Sequence, residues 1–334
     1  MSISFQELCK ALSLSPDYSD ELSLNHLKTW CFEQVSRDRV YSGQLDEQYA
    51  NYMKLAQHYL EIFLTSITED LAKPLPALDN MNCVQYAAFA GYERFLSQLK
   101  TPYSDALDSP NAYDMTSLHF AALHGYVYTV EALLNIGALP NKANKSNQYP
   151  LFSTLVMPMY SEDEPTVIQN KIRCFKRLKA LYPKALQVKD SGGETIAQNL
   201  TENGFESLLA ELIIENKDMI FEANNHTHFP IHTALLNNRL KAVELLLAIP
   251  EVSLLKDAKG KVALHYAAEY SDVAVVEQCY AAMTNLAIRD KMNRTPLMLA
   301  AEAGNEEVLL FLLKKGADID SKDYEGLTAL DYAK

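Results

Sequence analysis

The residues best equipped for covalent chemistry are Cys9 and Cys31, with His26 or His58 as a base and an Asp or Glu to orient it. That pairing would make a thiolate nucleophile. No glycine-rich or oxyanion-type motif accompanies them, and burial as a small apolar residue is the commoner fate of cysteine. The five cysteines (Cys9, Cys31, Cys83, Cys174 and Cys279) are an odd number, and none lies closer than 22 residues to another. This excludes C-x-x-C pairs, zinc spacings and a disulfide framework, and it suits reduced thiols in the cytoplasm. His119, His232 and His265 invite a metal reading, and Ser191-Gly192-Gly193 has the look of a phosphate loop. Walker A, G-x-S-x-G, H-E-x-x-H and G-x-G-x-x-G patterns are missing. The sequence therefore nominates no catalytic, cofactor-binding or metal-ligating set, and leans away from an enzyme.

What positions these residues is a recurring phrase. It reads TSLHFAALHG from Thr116, FPIHTALLNN from Phe229, VALHYAAEYS from Val262, TPLMLAAEAG from Thr295 and TALDYAK from Thr328. Steps 229→262, 262→295 and 295→328 are all 33 residues. Worn copies start at Asn82, Tyr149 and Thr195, which brings the phrases to eight. Turn residues keep the same period. Asn111, Asn144, Asp190, Asn224, Asp257, Asp290 and Asp323 stand five before a phrase start; Asn80, Asp114, Asn147, Gly193, Gly260, Asn293 and Gly326 stand two before it. Asp and Asn open turns by bonding their own backbone, and Gly or Asn accepts the positive φ of a tight turn. Ala77 and Thr227 break the pattern.

Each copy reads as a pair of helices. Thr116, Thr195 and Thr295 suit a helix cap, and Pro150, Pro230 and Pro296 the first helical position, where no amide is needed. The pairs Ala121–Ala122, Ala267–Ala268 and Ala300–Ala301 allow close packing of the first helix. Val130, Leu133 and Leu134, Val243, Leu246 and Leu247, and Val308, Leu312 and Leu313 give the second its bulk. One pair cannot bury its own apolar face, so the copies must stack. Ser191-Gly192-Gly193 falls on a repeat turn, which accounts for it. The step 149→195 is 46 residues, with the excess near 158–165, an acidic loop between the two helices of the third repeat.

A 33-residue period on T-P-L-H-x-A-A resembles the ankyrin-repeat family. The resemblance implies an all-α fold, an ankyrin-repeat solenoid of helix-turn-helix units with β-hairpin-like fingers, over residues 77–334. It assigns His119, His232 and His265 to hydrogen bonds between repeats. It also implies a protein partner held along the concave face, by fingertip residues and those just after Ala-Ala. Position by position, these are Tyr113, Met115, Leu123, His124, His226, His228, Lys259, Lys261, Tyr270, Lys291, Met292 and Arg294. The first three form an apolar end; Lys259, Lys261, Lys291 and Arg294 form a basic stretch on an acidic protein, which suggests a partner with an acidic segment.

Residues 1–76 carry no such phrase and read as an N-terminal helical bundle: helices about 5–14, 21–35 and 44–71, separated by Pro16 and ended by Pro74 and Pro76. In the last, Leu45, Tyr49, Tyr52, Ala56, Tyr59, Phe63 and Ile67 form an apolar stripe. A shield for the first repeat is the simpler reading of that stripe, and a coiled-coil seam the sharper one.

The net charge of −13 argues against nucleic acid and against charge-driven docking on anionic membrane. The N-terminus lacks a signal-peptide pattern, and no segment approaches the ~20 apolar residues of a membrane span. Together these features lead to a scaffold that binds a partner protein in the cytoplasm. Worn repeats joined to an unrelated helical region are also similar to ankyrin effectors that intracellular bacteria secrete into the host cytosol. The alternative is an ankyrin-targeted enzyme, with chemistry in the N-terminal region or in a C-terminal part beyond Lys334. Lys334 falls inside the first helix of the eighth repeat, so the chain is expected to be part of a longer protein.

Overall fold

A computed structural model describes residues 81–99, 104–157 and 165–333. The expected N-terminal helices, Cys9, Cys31, His26 and His58, and nearly all of the 158–165 loop lie outside the described residues. The contacts divide the chain into two bodies, one drawn from 1–144 and 158–174, the other from 145–157 and 175–334.

In the first body, α1 (Cys83–Ala90), α2 (Glu93–Gln98), α3 (Ser104–Leu107), α4 (Ser117–His124) and α5 (Val127–Asn135) follow in order. The short α6 (Pro150–Ser153) belongs to the second body, and the long α7 (Pro165–Leu181) belongs to the first up to Cys174. The second body continues with the pairs α8 (Ile196–Glu202) and α9 (Glu206–Glu215), α10 (Pro230–Leu236) and α11 (Leu240–Leu247), α12 (Ala263–Tyr270) and α13 (Val273–Met283), and α14 (Pro296–Glu302) and α15 (Glu306–Lys314). The short α16 (Ala329–Tyr332) is last. No β-strand forms among the described residues, so the fold is an all-α ankyrin solenoid. The fingers are tight, hairpin-like turns closed by backbone bonds such as Asp190 N to Glu194 O at 3.1 Å.

The helix starts follow the phrase. Pro150, Pro230 and Pro296 each occupy the first turn of their helix. Thr195 and Thr295 accept the N–H of the residue three further on. The Ala-Ala pairs and the leucines Leu118, Leu264 and Leu297 are buried, as are Val130, Leu133, Val243, Leu246, Val308 and Leu312 on the second helices. Each buried leucine contributes about 2 kcal/mol against an exposed one. Because α12 packs against both α10 and α14, that burial exists only between neighbouring repeats.

The opening residues Asn111, Asp190, Asn224, Asp257, Asp290 and Asp323 close their own fingers. Asp190 Oδ1 accepts from Gly192 N at 3.0 Å and Glu194 N at 2.8 Å. Asp290 Oδ1 does the same for Met292 and Arg294, and Asp323 Oδ1 for Glu325 and Leu327. In the second body adjacent fingers are bonded: Ser191 N donates to Ser146 O at 2.8 Å, Lys291 N to Lys259 O at 2.8 Å, and Tyr324 N to Met292 O at 3.2 Å. This leaves no room for a side chain at Gly193 (φ 75°), where a Cβ would lie 2.6 Å from Asn225 N. Thr227, the exception in residue type, keeps the conformation of its position. It takes φ 63°, a region a β-branched residue rarely adopts, and its Oγ1 accepts Ala258 N at 2.5 Å.

Candidate functional site: the finger and inner-helix face

Of the histidines expected between repeats, His232 and His265 reach backbone of a following segment, and His119 Nδ1 accepts from Thr116 N at 3.0 Å within its own repeat. His265 Nδ1 accepts from Val262 N at 3.2 Å, and its Nε2 meets Arg294 O of the next repeat at 3.2 Å. His232 Nδ1 likewise accepts from Phe229 N at 3.3 Å, but its Nε2 meets Leu255 O, ahead of the next finger, at 3.2 Å. Burial holds both imidazoles neutral, with pKa values lowered to about 4. Their use as hydrogen-bond bridges accounts for them, and no group of three or more His, Cys, Asp and Glu suited to a metal occurs among the described residues. Reading the sequence for histidine alone misses two further bridges. Gln198 Nε2 donates to His228 O at 2.6 Å, while Gln85 Nε2 donates to Ser109 O and Met115 O. Both stand three after a phrase start, so the position was the signal and the residue type was not.

In the first body, Tyr113 is 70% exposed at its fingertip. Met115, Leu123 and His124 are half-buried. The His124 ring packs edge-on to Phe89 at 4.9 Å and stacks on Tyr126 at 5.4 Å. Behind this face Lys171 is fully buried and donates its Nζ to Leu123 O at 2.5 Å. Burial lowers its pKa to about 8. It ties α7 to the carboxyl end of α4, a role nothing in the local sequence announces.

The remaining expected residues lie in the second body. The His226 and His228 rings are 6.3 Å apart, and His228 meets Tyr266 edge-on at 5.8 Å. The Tyr266 ring also stacks on His232 at 4.8 Å, and its hydroxyl donates to Asp257 Oδ2. The basic stretch divides into two kinds of cation. Lys259 and Lys291 are exposed, at fingertips joined by the backbone bond described above. Lys261 and Arg294 are turned inward, their side chains 8% and 16% exposed. Lys261 Nζ pairs with Glu269 at 2.5 Å, and Arg294 pairs with Asp290 at 2.9 Å and Glu302 at 3.0 Å. These two are structural bolts between a finger and the end of the following helix. The outward display is completed by Tyr270 (53% exposed), Met292 (49%) and Tyr324 (75%). The Tyr270 hydroxyl donates to Glu269, and that bond to a carboxylate, with burial, pushes its pKa up to about 12.

This geometry has a counterpart among known families. Profiles of ankyrin repeats match residues 248–323, as a run of such repeats, and 113–145, as a single one. The chain carries ankyrin repeats. It is similar to the ankyrin repeat protein nuc-2 of Neurospora crassa, 26% identical over 95% of this chain and 28% of that protein. It is also similar to the human transient receptor potential cation channel subfamily A member 1, 27% identical over 69% of this chain and 20% of that one. The B-cell lymphoma 3 protein homolog of Mus musculus matches 30% of the chain at 30% identity. The chain thus spans less than a third of the length of these curated relatives.

Proposed function

We propose that the protein is a non-enzymatic scaffold that grips a partner protein along the fingers and inner helices of its repeats. The observation that carries this reading is the split between dictated and undictated positions. Residues fixed by the repeat are buried or paired, while Tyr270, Met292, Tyr324, Lys259 and Lys291 are held outward on a backbone the repeat makes rigid. Exposed aromatic and Met side chains on a preorganised surface suit the centre of an interface. Lys259 and Lys291 are the groups that favour a partner with an acidic segment, since Lys261 and Arg294 are already neutralised. The free, buried thiols of Cys174 and Cys279 suit a reducing, cytoplasmic setting. The bacterial-effector reading rests on the worn style of the repeats and gains nothing from the animal and fungal relatives named above.

The test compares quantitative capture of interacting proteins by the wild type and by the double variant K259E/K291E. Loss of about tenfold in affinity for a captured partner, steeper at low salt, is expected. Equal capture by both proteins rejects the acidic-segment reading, and equal capture by Y270A/M292A as well rejects this face.

A further inference from the structure

The two internal ion pairs share one spacing, and a third repeat places a different pair of charges at it. The residue just before a phrase start faces the residue eight further on: Lys261 faces Glu269 and Arg294 faces Glu302. In the repeat that starts at Thr195 the same two positions are Glu194 and Glu202. A carboxylate thus stands where those two repeats hold the cation, opposite an acidic residue at the same helix-end position. Glu194 Oε1 accepts from Asn224 Nδ2 at 2.6 Å, but Oε2 is shielded from water and meets no donor. It is the only buried side-chain oxygen or nitrogen so placed among the described residues. The titratable groups acting on Glu194 are Glu202, Asp190 and His226, and burial raises its carboxyl pKa. Arg239, the nearby cation, donates its Nε to the Glu202 carbonyl oxygen at 2.8 Å. Glu202 itself is exposed.

Resting on the partner-binding reading above, we propose that the partner segment carries an arginine or lysine whose charged head sits between Glu194 and Glu202. It would complete from outside the pair that Lys261–Glu269 and Arg294–Glu302 make from within. The repeats starting at Val262 and Thr295 supply the template, because their ion pairs show that a cation at this position meets the helix-end carboxylate. An unpaired, desolvated carboxylate oxygen supplies the reason, since it is costly until a donor arrives. A guanidinium, with several donors in one plane, can meet the free Oε2 and the exposed Glu202 together. The partner segment is therefore bipolar, basic toward the Thr195 repeat and acidic toward Lys259 and Lys291.

The experiment titrates the full chain with N-acetyl-Gly-Arg-Gly-amide, with its Gln counterpart, and with calcium chloride alone. The readout is the NMR signals of the Asn224 side-chain amide and the Gly193 backbone amide. Saturable shifts with the Arg peptide, none with the Gln peptide, and a loss of about tenfold or more in affinity in E194Q/E202Q are expected, with E306Q/E307Q unchanged. Shifts that persist in E194Q/E202Q, that fail to appear with the Arg peptide, or that calcium alone reproduces overturn the proposal. A second variant, E194K, supplies the cation within the chain. It is expected to raise Tm and abolish binding of the Arg peptide; a lower Tm with binding retained counts against the proposal. If K259E/K291E loses its partner while the Arg peptide fails at Glu194, the scaffold reading stands and this one falls.

Discussion

The Tyr266 hydroxyl donates to Asp257 Oδ2 at 2.8 Å, while Oδ1 of the same carboxylate accepts Lys261 N at 2.7 Å. One side chain therefore closes its finger and fastens that finger to α12. Tyr332 and Asp323 repeat the bond at 2.7 Å, and in the repeat between them Arg294 Nε takes the place of the tyrosine on Asp290 at 2.9 Å. Removing the carboxylate strands a backbone N–H and a buried hydroxyl. D257A is expected to cost about 2 to 4 kcal/mol in urea unfolding and Y266F about 1 kcal/mol. Equal costs for the two variants would show that the finger does not depend on Oδ1.

Thr227 stands where Asn147 and Asn293 adopt the same left-handed backbone at less steric cost. Those asparagines also donate to the next repeat, Asn147 Nδ2 to Lys189 O at 2.7 Å and Asn293 Nδ2 to Lys322 O at 2.9 Å. T227N exchanges the Oγ1 bond to Ala258 N for that arrangement and removes the β-branch. A gain of about 1 kcal/mol is expected, measured as a rise in urea midpoint at constant m.

His232 and His265 set an acid limit. Their folded pKa of about 4 lies below the ordinary value of about 6.5, so the unfolded chain binds more protons between those values. Their contribution is complete above pH 6.5 and is lost as pH falls toward 4. At pH 5 each removes about 2 kcal/mol. Urea titrations at pH 7 and pH 5 measure this. H265Q places at 265 the residue the chain already uses at Gln85 and Gln198, and should keep the bridge while removing one share of the pH slope.

Lys261 and Glu269 are 8% and 20% exposed, so neither charge is well hydrated once alone. K261M is expected to destabilise by about 3 kcal/mol, whereas K261M/E269L should recover most of that loss. Thermal unfolding of the wild type and both variants distinguishes a costly orphan charge from a bond that merely adds stability.

Much of this architecture can be read from residues. The prolines at 150, 230 and 296 mark helix starts because only the first turn tolerates a missing amide, and the Asp and Asn residues mark fingers because of their backbone bonds. The face is less legible. Lys261 and Arg294 look like free cations in a finger. The clue to their pairing is a glutamate eight positions later, a spacing that means nothing until finger and helix end are folded together. Lys171 is harder still: its buried bond to Leu123 spans 48 residues and has no periodic echo.

Cys174 lies buried in the first body and Cys279 in the second, each with its thiol pKa raised by burial, to about 11 and about 12. A thiol reagent at neutral pH therefore reacts with either only after its surroundings open. Nature has placed a separate stopwatch in each body. The labelling rates of the two peptides, resolved by mass spectrometry, time the opening of one body independently of the other without any added probe.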